Sequence, residues 1–353
     1  MKYPNVIKQN RPDLVGMDYW LWRLARTRVE ELPWIIRRIF RINHITSGYY
    51  NTPKHWLTNG TRARDIAFNV RGDSYPPVVF VHGITPRCGS NLVHDVVDCH
   101  PDVIGRQLGI SEFPVLCNSR AMDAFYSMIV ARHREVAKNI SGIETMAFLV
   151  SGWMRDLQSR LDDGTTAVLK MPSVQHLELF DVLFPRDRLV IVIRDGRDIL
   201  QSTVDSWRGD RAFMRSEAAI AREYAAAAQC VTSYIANSQS DYHVFRYEDY
   251  ISNPKISIGQ LYKYLRLSAD SSLIESAASL PLKGSSSVRK DGKLTWEPVD
   301  KPANFKPVKK WRNWNLRRKM RFSKFANQGL VDLGYETDAG WVTDCRPSVD
   351  DAI

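Results

Sequence analysis

Two short stretches of the sequence carry groups able to grip an anion. The first is His82-Gly83-Ile84-Thr85-Pro86-Arg87-Cys88-Gly89-Ser90-Asn91, which follows an apolar run and leads into a helical pattern. A glycine-bearing turn of this kind aims backbone N–H groups and a helix dipole at a negative ligand. Arg87 adds a permanent charge whose fork matches phosphate or sulfate oxygens, and Ser90 and Asn91 add side-chain donors. Gly89 is followed by Ser90 rather than by Lys-Ser/Thr, so the lysine and magnesium-binding hydroxyl of a Walker A loop are missing. The second stretch is Arg194-Asp195-Gly196-Arg197-Asp198, with Ser202 eight residues after the first arginine. There Arg194 can pair bidentately with a phosphate while Ser202 donates a hydroxyl. Plainer readings stay open at both places. The first loop also reads as an ordinary turn that caps a helix. The second also reads as a structural ion-pair network in which Asp195 and Asp198 cap the helix and pair with Arg197.

The surrounding pattern says what must hold these groups. Val78 to Val81, Ala167 to Leu169 and Leu189 to Ile193 are short apolar runs of the kind found in strands buried on both faces, and His243 to Tyr247 is a further strand candidate. Helical patterns run over Leu92 to Val97, Leu177 to Leu183, Ile199 to Trp207, residues 211–236 (rich in alanine) and Ile256 to Leu265. Strands alternating with helices predict an α/β fold, a parallel β-sheet flanked by helices on both faces. In such sheets ligands bind at the C-terminal strand ends, where both stretches fall.

Bulk properties narrow the classes. Of 353 residues 44% are hydrophobic and 25% charged, an ordinary globular balance that predicts one large or two ordinary domains. No apolar run approaches the roughly 20 residues needed to span a bilayer, and Met1 to Asp18 carries no signal-peptide core. Five cysteines, odd in number, widely spaced and without CxxC pairs, argue against a disulfide framework or a zinc site. The expected compartment is therefore the cytoplasm. We expect an N-terminal helical or irregular arm over residues 1–75 packed on the core, a main domain over 76–340 and a tail over 341–353. Within the arm, Glu30 to Ile42 is amphipathic, which fits a helix packed on the main domain or, less simply, peripheral contact with a membrane surface.

The ordered set of motifs resembles the sulfotransferase family that uses 3′-phosphoadenosine 5′-phosphosulfate (PAPS). Arg194 to Asp198 with Ser202 is similar to its 3′-phosphate motif, and Pro86-Arg87-Cys88-Gly89-Ser90-Asn91-Leu92 to its 5′-phosphosulfate loop, with Cys88 in place of the usual serine. Lys170-Met171-Pro172, Leu183-Phe184-Pro185, Arg246-Tyr247-Glu248-Asp249 and Gly334-Tyr335 follow in the family's order across residues 78–336. Asp98-Cys99-His100-Pro101-Asp102-Val103 resembles the tyrosylprotein and carbohydrate branches, which place a catalytic glutamate just beyond, at the position of Glu112.

The resemblance implies a P-loop-like sulfotransferase fold and transfer of a sulfuryl group from PAPS to the hydroxyl of an alcohol, phenol or sugar, without a metal. It implies Glu112 as general base, with Lys170 and Arg87 neutralising charge in the transition state. Pro86 to Asn91, Arg194, Ser202 and Tyr247 then fall to donor binding, joined by Ser287, Arg289 and Lys290, the nearest counterpart of the family's Arg-Lys-Gly segment.

Three other classes fit less well. An α/β-hydrolase would need a GxSxG elbow after the His82-Gly83 turn, and Gly284-Ser285-Ser286-Ser287 lacks the second glycine. A P-loop-type small-molecule kinase would need the Walker lysine. A nucleic-acid-binding module could draw on the formal net charge of +10. That charge is local: residues 301–324 contain ten Lys/Arg and no Asp or Glu, and without them 39 basic residues face 39 acidic ones. No reading motif accompanies the basic segment, so no nucleic-acid partner is expected. The family resemblance implies that its start lies near the anionic donor, and the remainder reads most simply as a solvated helix face.

Overall fold

In the computed structural model, residues 52, 56–72, 76–110, 112–207, 215–286, 289–290, 293–295, 297–302 and 305–343 are described. The amphipathic Glu30 to Ile42 stretch, Ser287 and the C-terminal tail beyond residue 343 lie outside them.

Val79, Phe80, Val81, His82 and Gly83 form β1, every residue of which is buried. Strands β2 (Val103–Ile104), β3 (Thr166–Met171), β4 (Arg188–Ile193) and β5 (Tyr242–Arg246) complete a parallel sheet in the order β2-β3-β1-β4-β5. Leu189 to Ile193 of β4 are buried throughout. A parallel strand covered on both faces has no solvent side, so its sequence is an unbroken apolar run rather than an alternation. The sheet is the α/β architecture expected from the sequence. Strand β2 is invisible at that level, because two residues carry no periodic signal.

The longer helices are α1 (Gly60–Arg71), α2 (Ser90–Asp98), α3 (Ser119–Arg132), α4 (Gly142–Gln158), α5 (Gly196–Trp207), α6 (Glu217–Asn237), α7 (Pro254–Leu265) and α8 (Leu316–Asp332). Leu177 to Leu183 is not one helix but a 3₁₀ turn (Leu177–Leu179) followed by a single α-turn (Phe180–Leu183). Helix α1 packs on α4 and places Arg71, itself buried, beside Asp187. Asp187 accepts two bonds from the Arg71 guanidinium and a third from the Val78 N–H at 2.8 Å, while Arg71 Nε donates to Gln158 Oε1 at 3.1 Å. This buried, fully bonded pair fixes the N-terminal end of β1. Helices α6 and α8 approach closely because small residues meet: a Cβ on Gly329 would stand 3.0 Å from that of Ala228.

Of the basic segment, Arg312, Arg317, Arg321 and Lys324 are exposed. Arg318 is not. It pairs with Glu217 at 2.8 Å and lies over the Trp314 ring. The segment after Gly284 includes a two-stranded antiparallel ladder, β6 (Arg289–Lys290) with β7 (Lys293–Leu294).

Candidate active site

The first loop leaves β1 and enters α2 through two residues of positive φ, Arg87 at 77° and Gly89 at 104°. Gly89 also packs on the Tyr247 ring, where a Cβ would stand 2.5 Å from a ring carbon, so conformation and space both call for glycine. Space alone restricts Gly83, since a Cβ there would come within 2.5 Å of Cys88 Sγ. The Cys88 side chain is thus buried against the end of β1, and burial raises its thiol pKa. Pro86 is exposed. The loop borders a cleft that neither Pro86 nor Cys88 lines; Arg87, Gly89, Ser90, Asn91, Arg194, Ser202 and Tyr247 all do.

Two guanidinium groups dominate that cleft. Arg87 donates from Nε to Ser202 Oγ (3.3 Å) and from Nη2 to the Gly284 carbonyl (2.7 Å). Burial and the nearby Arg194 charge lower its pKa to about 10, which leaves it cationic at neutral pH but poorly compensated. Arg194, 6% exposed, donates from Nη1 to the Arg87 carbonyl (2.8 Å) and from Nη2 to the Pro307 carbonyl (2.6 Å). Its guanidinium lies 4.4 Å from the centre of the Tyr247 ring, and its Nε has no hydrogen-bond partner. Two adjacent cations, Arg194 buried and Arg87 partly so, can together take an anion with several oxygens.

The aspartates of the second stretch are structural. Asp195 pairs with Arg197 at 2.7 Å, and the Asp195 N–H donates to Glu248, which also receives the Tyr335 hydroxyl at 3.0 Å. Asp198 accepts the N–H groups of Lys309 (2.6 Å) and Lys310 (2.8 Å), tying the start of the basic segment to the cleft. Burial and the neighbouring Asp195 raise the Asp198 carboxyl to about 6. Arg194 and Ser202 face the cleft while Asp195, Arg197 and Asp198 brace it.

A second cavity, of about 380 Å³, is lined by Glu112, Lys170, His94, Arg106 and two residues it shares with the cleft, Asn91 and Lys283. Lys170 at the end of β3 is mostly buried and donates to Glu112 Oε1 at 3.1 Å, while Glu112 is 47% exposed. The backbone holds this pair in register, since the Phe113 N–H donates to the Lys170 carbonyl at 2.9 Å. Asp95, which lines the cleft, binds two residues of this cavity, Arg106 and, at 3.3 Å, Lys283. Burial pushes Asp95 up, but the nearby His94 ring, 3.6 Å away, the hydrogen bonds from Arg106 and the charges of Arg106 and Lys283 outweigh it and hold the carboxyl below its ordinary value.

Residues 77–271 match the model of the Sulfotransferase family. The chain belongs to the sulfotransferase family. Among curated proteins, none matches the sequence. Solved structures similar to this sulfotransferase include the sulfotransferase domain from the Synechococcus PCC 7002 olefin synthase, at 16% identity over 73% of this chain and 96% of that one, TM-score 0.43. The sulfotransferase domain from the curacin biosynthetic pathway is also 16% identical, over 75% of this chain and 99% of that one, TM-score 0.44. Mouse sulfotransferase SULT7A1 complexed with PAP is 11% identical over 80% and 94%, TM-score 0.43.

Asp95, Arg106 and Lys283 do not stand out in the sequence of this sulfotransferase. Each is an isolated charge in its own stretch, and only the fold brings them into contact. Arg289 and Lys290 lie in β6, and the described structure bears on their backbone alone.

Proposed function

We propose that this sulfotransferase moves the sulfuryl group of PAPS to a hydroxyl of an alcohol, phenol or sugar. One observation carries the reading: the cleft of Arg87 and Arg194 and the cavity of the Lys170–Glu112 pair meet at Asn91 and Lys283, so an anionic donor and a neutral acceptor have adjoining compartments.

The division of labour follows from the residues. Arg194 and Ser202 hold the donor's 3′-phosphate, with Tyr247 packed beneath Arg194. Gly89, Ser90 and Asn91 offer the start of α2 to the 5′-phosphosulfate. Glu112 accepts the proton of the acceptor hydroxyl as its oxygen bonds to sulfur. Lys170 and Arg87 face the charge that gathers on the sulfuryl and leaving-phosphate oxygens as the sulfur–oxygen bond to phosphate breaks. PAPS supplies the sulfuryl group, and the reaction needs no other oxidant, reductant or phosphate donor. The cleft, of about 100 Å³, is narrow beside small-ligand pockets of roughly 300–1,000 Å³. Residues 281–286 and 305–310 close over it through the carbonyls of Gly284 and Pro307.

Incubation of the protein with radiolabelled PAPS and a panel of alcohols, phenols and sugars should yield a labelled sulfate ester. Transfer from labelled ATP instead, with none from PAPS, would replace this reading by a kinase.

A further inference from the structure

Helices α3 and α4 leave an apolar groove of about 350 Å³ lined by Pro114, Val115, Met122, Phe125, Leu149 and Trp153. Phe125, Leu149 and Trp153 are 45%, 48% and 51% exposed. Among the described residues, Asn118 is the one polar side chain in its lining. Scattered apolar residues on a surface need no explanation, but a concave cluster of large ones marks a binding site.

The groove begins one residue beyond Phe113, next to the candidate base along the chain. Pro114 follows Glu112 by two residues, so their Cα atoms are at most about 7 Å apart. Phe113, between them, is buried, bonds through its N–H to the Lys170 carbonyl, and sets its ring 4.8 Å from that of Trp153. One three-residue segment thus positions the candidate base, its lysine partner and the wall of the groove. The cavity at Glu112 is lined by charged side chains, and the groove that starts at Pro114 by hydrocarbon.

We infer that this groove holds the apolar body of the acceptor, which is an amphiphile bearing its hydroxyl at one end of a hydrocarbon chain or ring system. The inference rests on the sulfuryl-transfer reading and specifies its acceptor. Each methylene that moves from water into the groove strengthens binding about fourfold.

The test is a series of primary alcohols from butanol to dodecanol, assayed with PAPS, together with bromo-undecanol as a fluorescence quencher. In the wild type, kcat/KM should climb about fourfold per methylene once the chain reaches the groove, then level off when it is full. Leu149→Ser should reduce the ratio of long-chain to short-chain kcat/KM about tenfold. Bromo-undecanol should quench a saturable part of the tryptophan emission that Trp153→Phe lacks, with 3′,5′-ADP binding equal in the two proteins. Turnover with no chain-length dependence would overturn the groove assignment and leave sulfuryl transfer standing. Equal quenching in wild type and Trp153→Phe would also overturn it, and would mean that something else, such as a second copy of the chain, covers the groove. Quenching intact but no transfer from PAPS to any acceptor would refute the sulfuryl-transfer reading itself, and the acceptor role with it.

Discussion

Replacing Arg194 by alanine probes the donor cleft most directly. Its guanidinium already holds two main-chain carbonyls, those of Arg87 and Pro307, and sits against Tyr247 with Nε unpartnered. A 3′-phosphate bound there exchanges the Pro307 carbonyl for anionic oxygens and engages Nε as well. With a hydrogen bond to a charged group contributing about 1.5–3 kcal/mol, one bond gained net corresponds to roughly 10- to 150-fold in affinity. Arg194→Ala should therefore weaken 3′,5′-ADP by that factor and change 5′-AMP by no more than about threefold. Arg194→Lys keeps the charge without the fork and should fall between. Titration calorimetry with both nucleotides at fixed salt measures the ratio. The ratio matters because the variant also orphans two carbonyls and lowers the melting temperature, a loss that cancels between ligands measured on the same protein. Equal losses for the two nucleotides would refute the 3′-phosphate assignment.

Three further outcomes follow from named contacts. Glu112→Gln should reduce kcat by about 10²- to 10⁴-fold while 3′,5′-ADP binding, by calorimetry, is unchanged; near-normal turnover would remove Glu112 as the base. Gly89→Ala drives a methyl into the Tyr247 ring at a left-handed position, and should destabilise the fold by about 1–3 kcal/mol in urea denaturation and weaken donor binding together. Asp198, raised to about 6 from an unfolded value of 3.8, binds its proton more tightly in the folded state. It therefore favours folding below pH 4, and that contribution, on the order of 3 kcal/mol, disappears as pH rises to 6. Asp198→Asn keeps an acceptor for Lys309 and Lys310 without the buried charge, so its stability relative to wild type should rise between pH 4 and 7 in denaturation curves. A pH-independent difference would reject that account.

The parts of this architecture that are legible in the sequence are those written in one contiguous stretch. Val78 to Asn91 and Leu189 to Ser202 each contain a strand, a turn and a helix start, so one local pattern announces both the element and the cleft-lining loop at its end. The alanine-rich helix and the strand before Tyr247 are visible for the same reason. Other features arise from contacts that no local pattern encodes. Asp95 meets Arg106 across a turn and Lys283 from a distant segment, and Phe113 meets Trp153 across the fold. Glu112 stands out through family resemblance alone, and its partnership with Lys170 is a product of Phe113 joining the end of β3. The orientation of Cys88 is equally hidden, since only the tight approach to Gly83 turns its sulfur inward.

The strand order has a consequence for length. Lys170, Arg87, Arg194 and Tyr247 lie at or just beyond the C-terminal ends of β3, β1, β4 and β5, four neighbours in the sheet. Neighbouring strands lie about 4.8 Å apart, so these four stations are strung along roughly 14 Å of sheet edge. The sheet is in effect a ruler, with its graduations fixed by backbone hydrogen bonds rather than by side-chain reach. Lengthening one side chain leaves the spacing of the four stations unchanged, because that spacing belongs to the ladder itself.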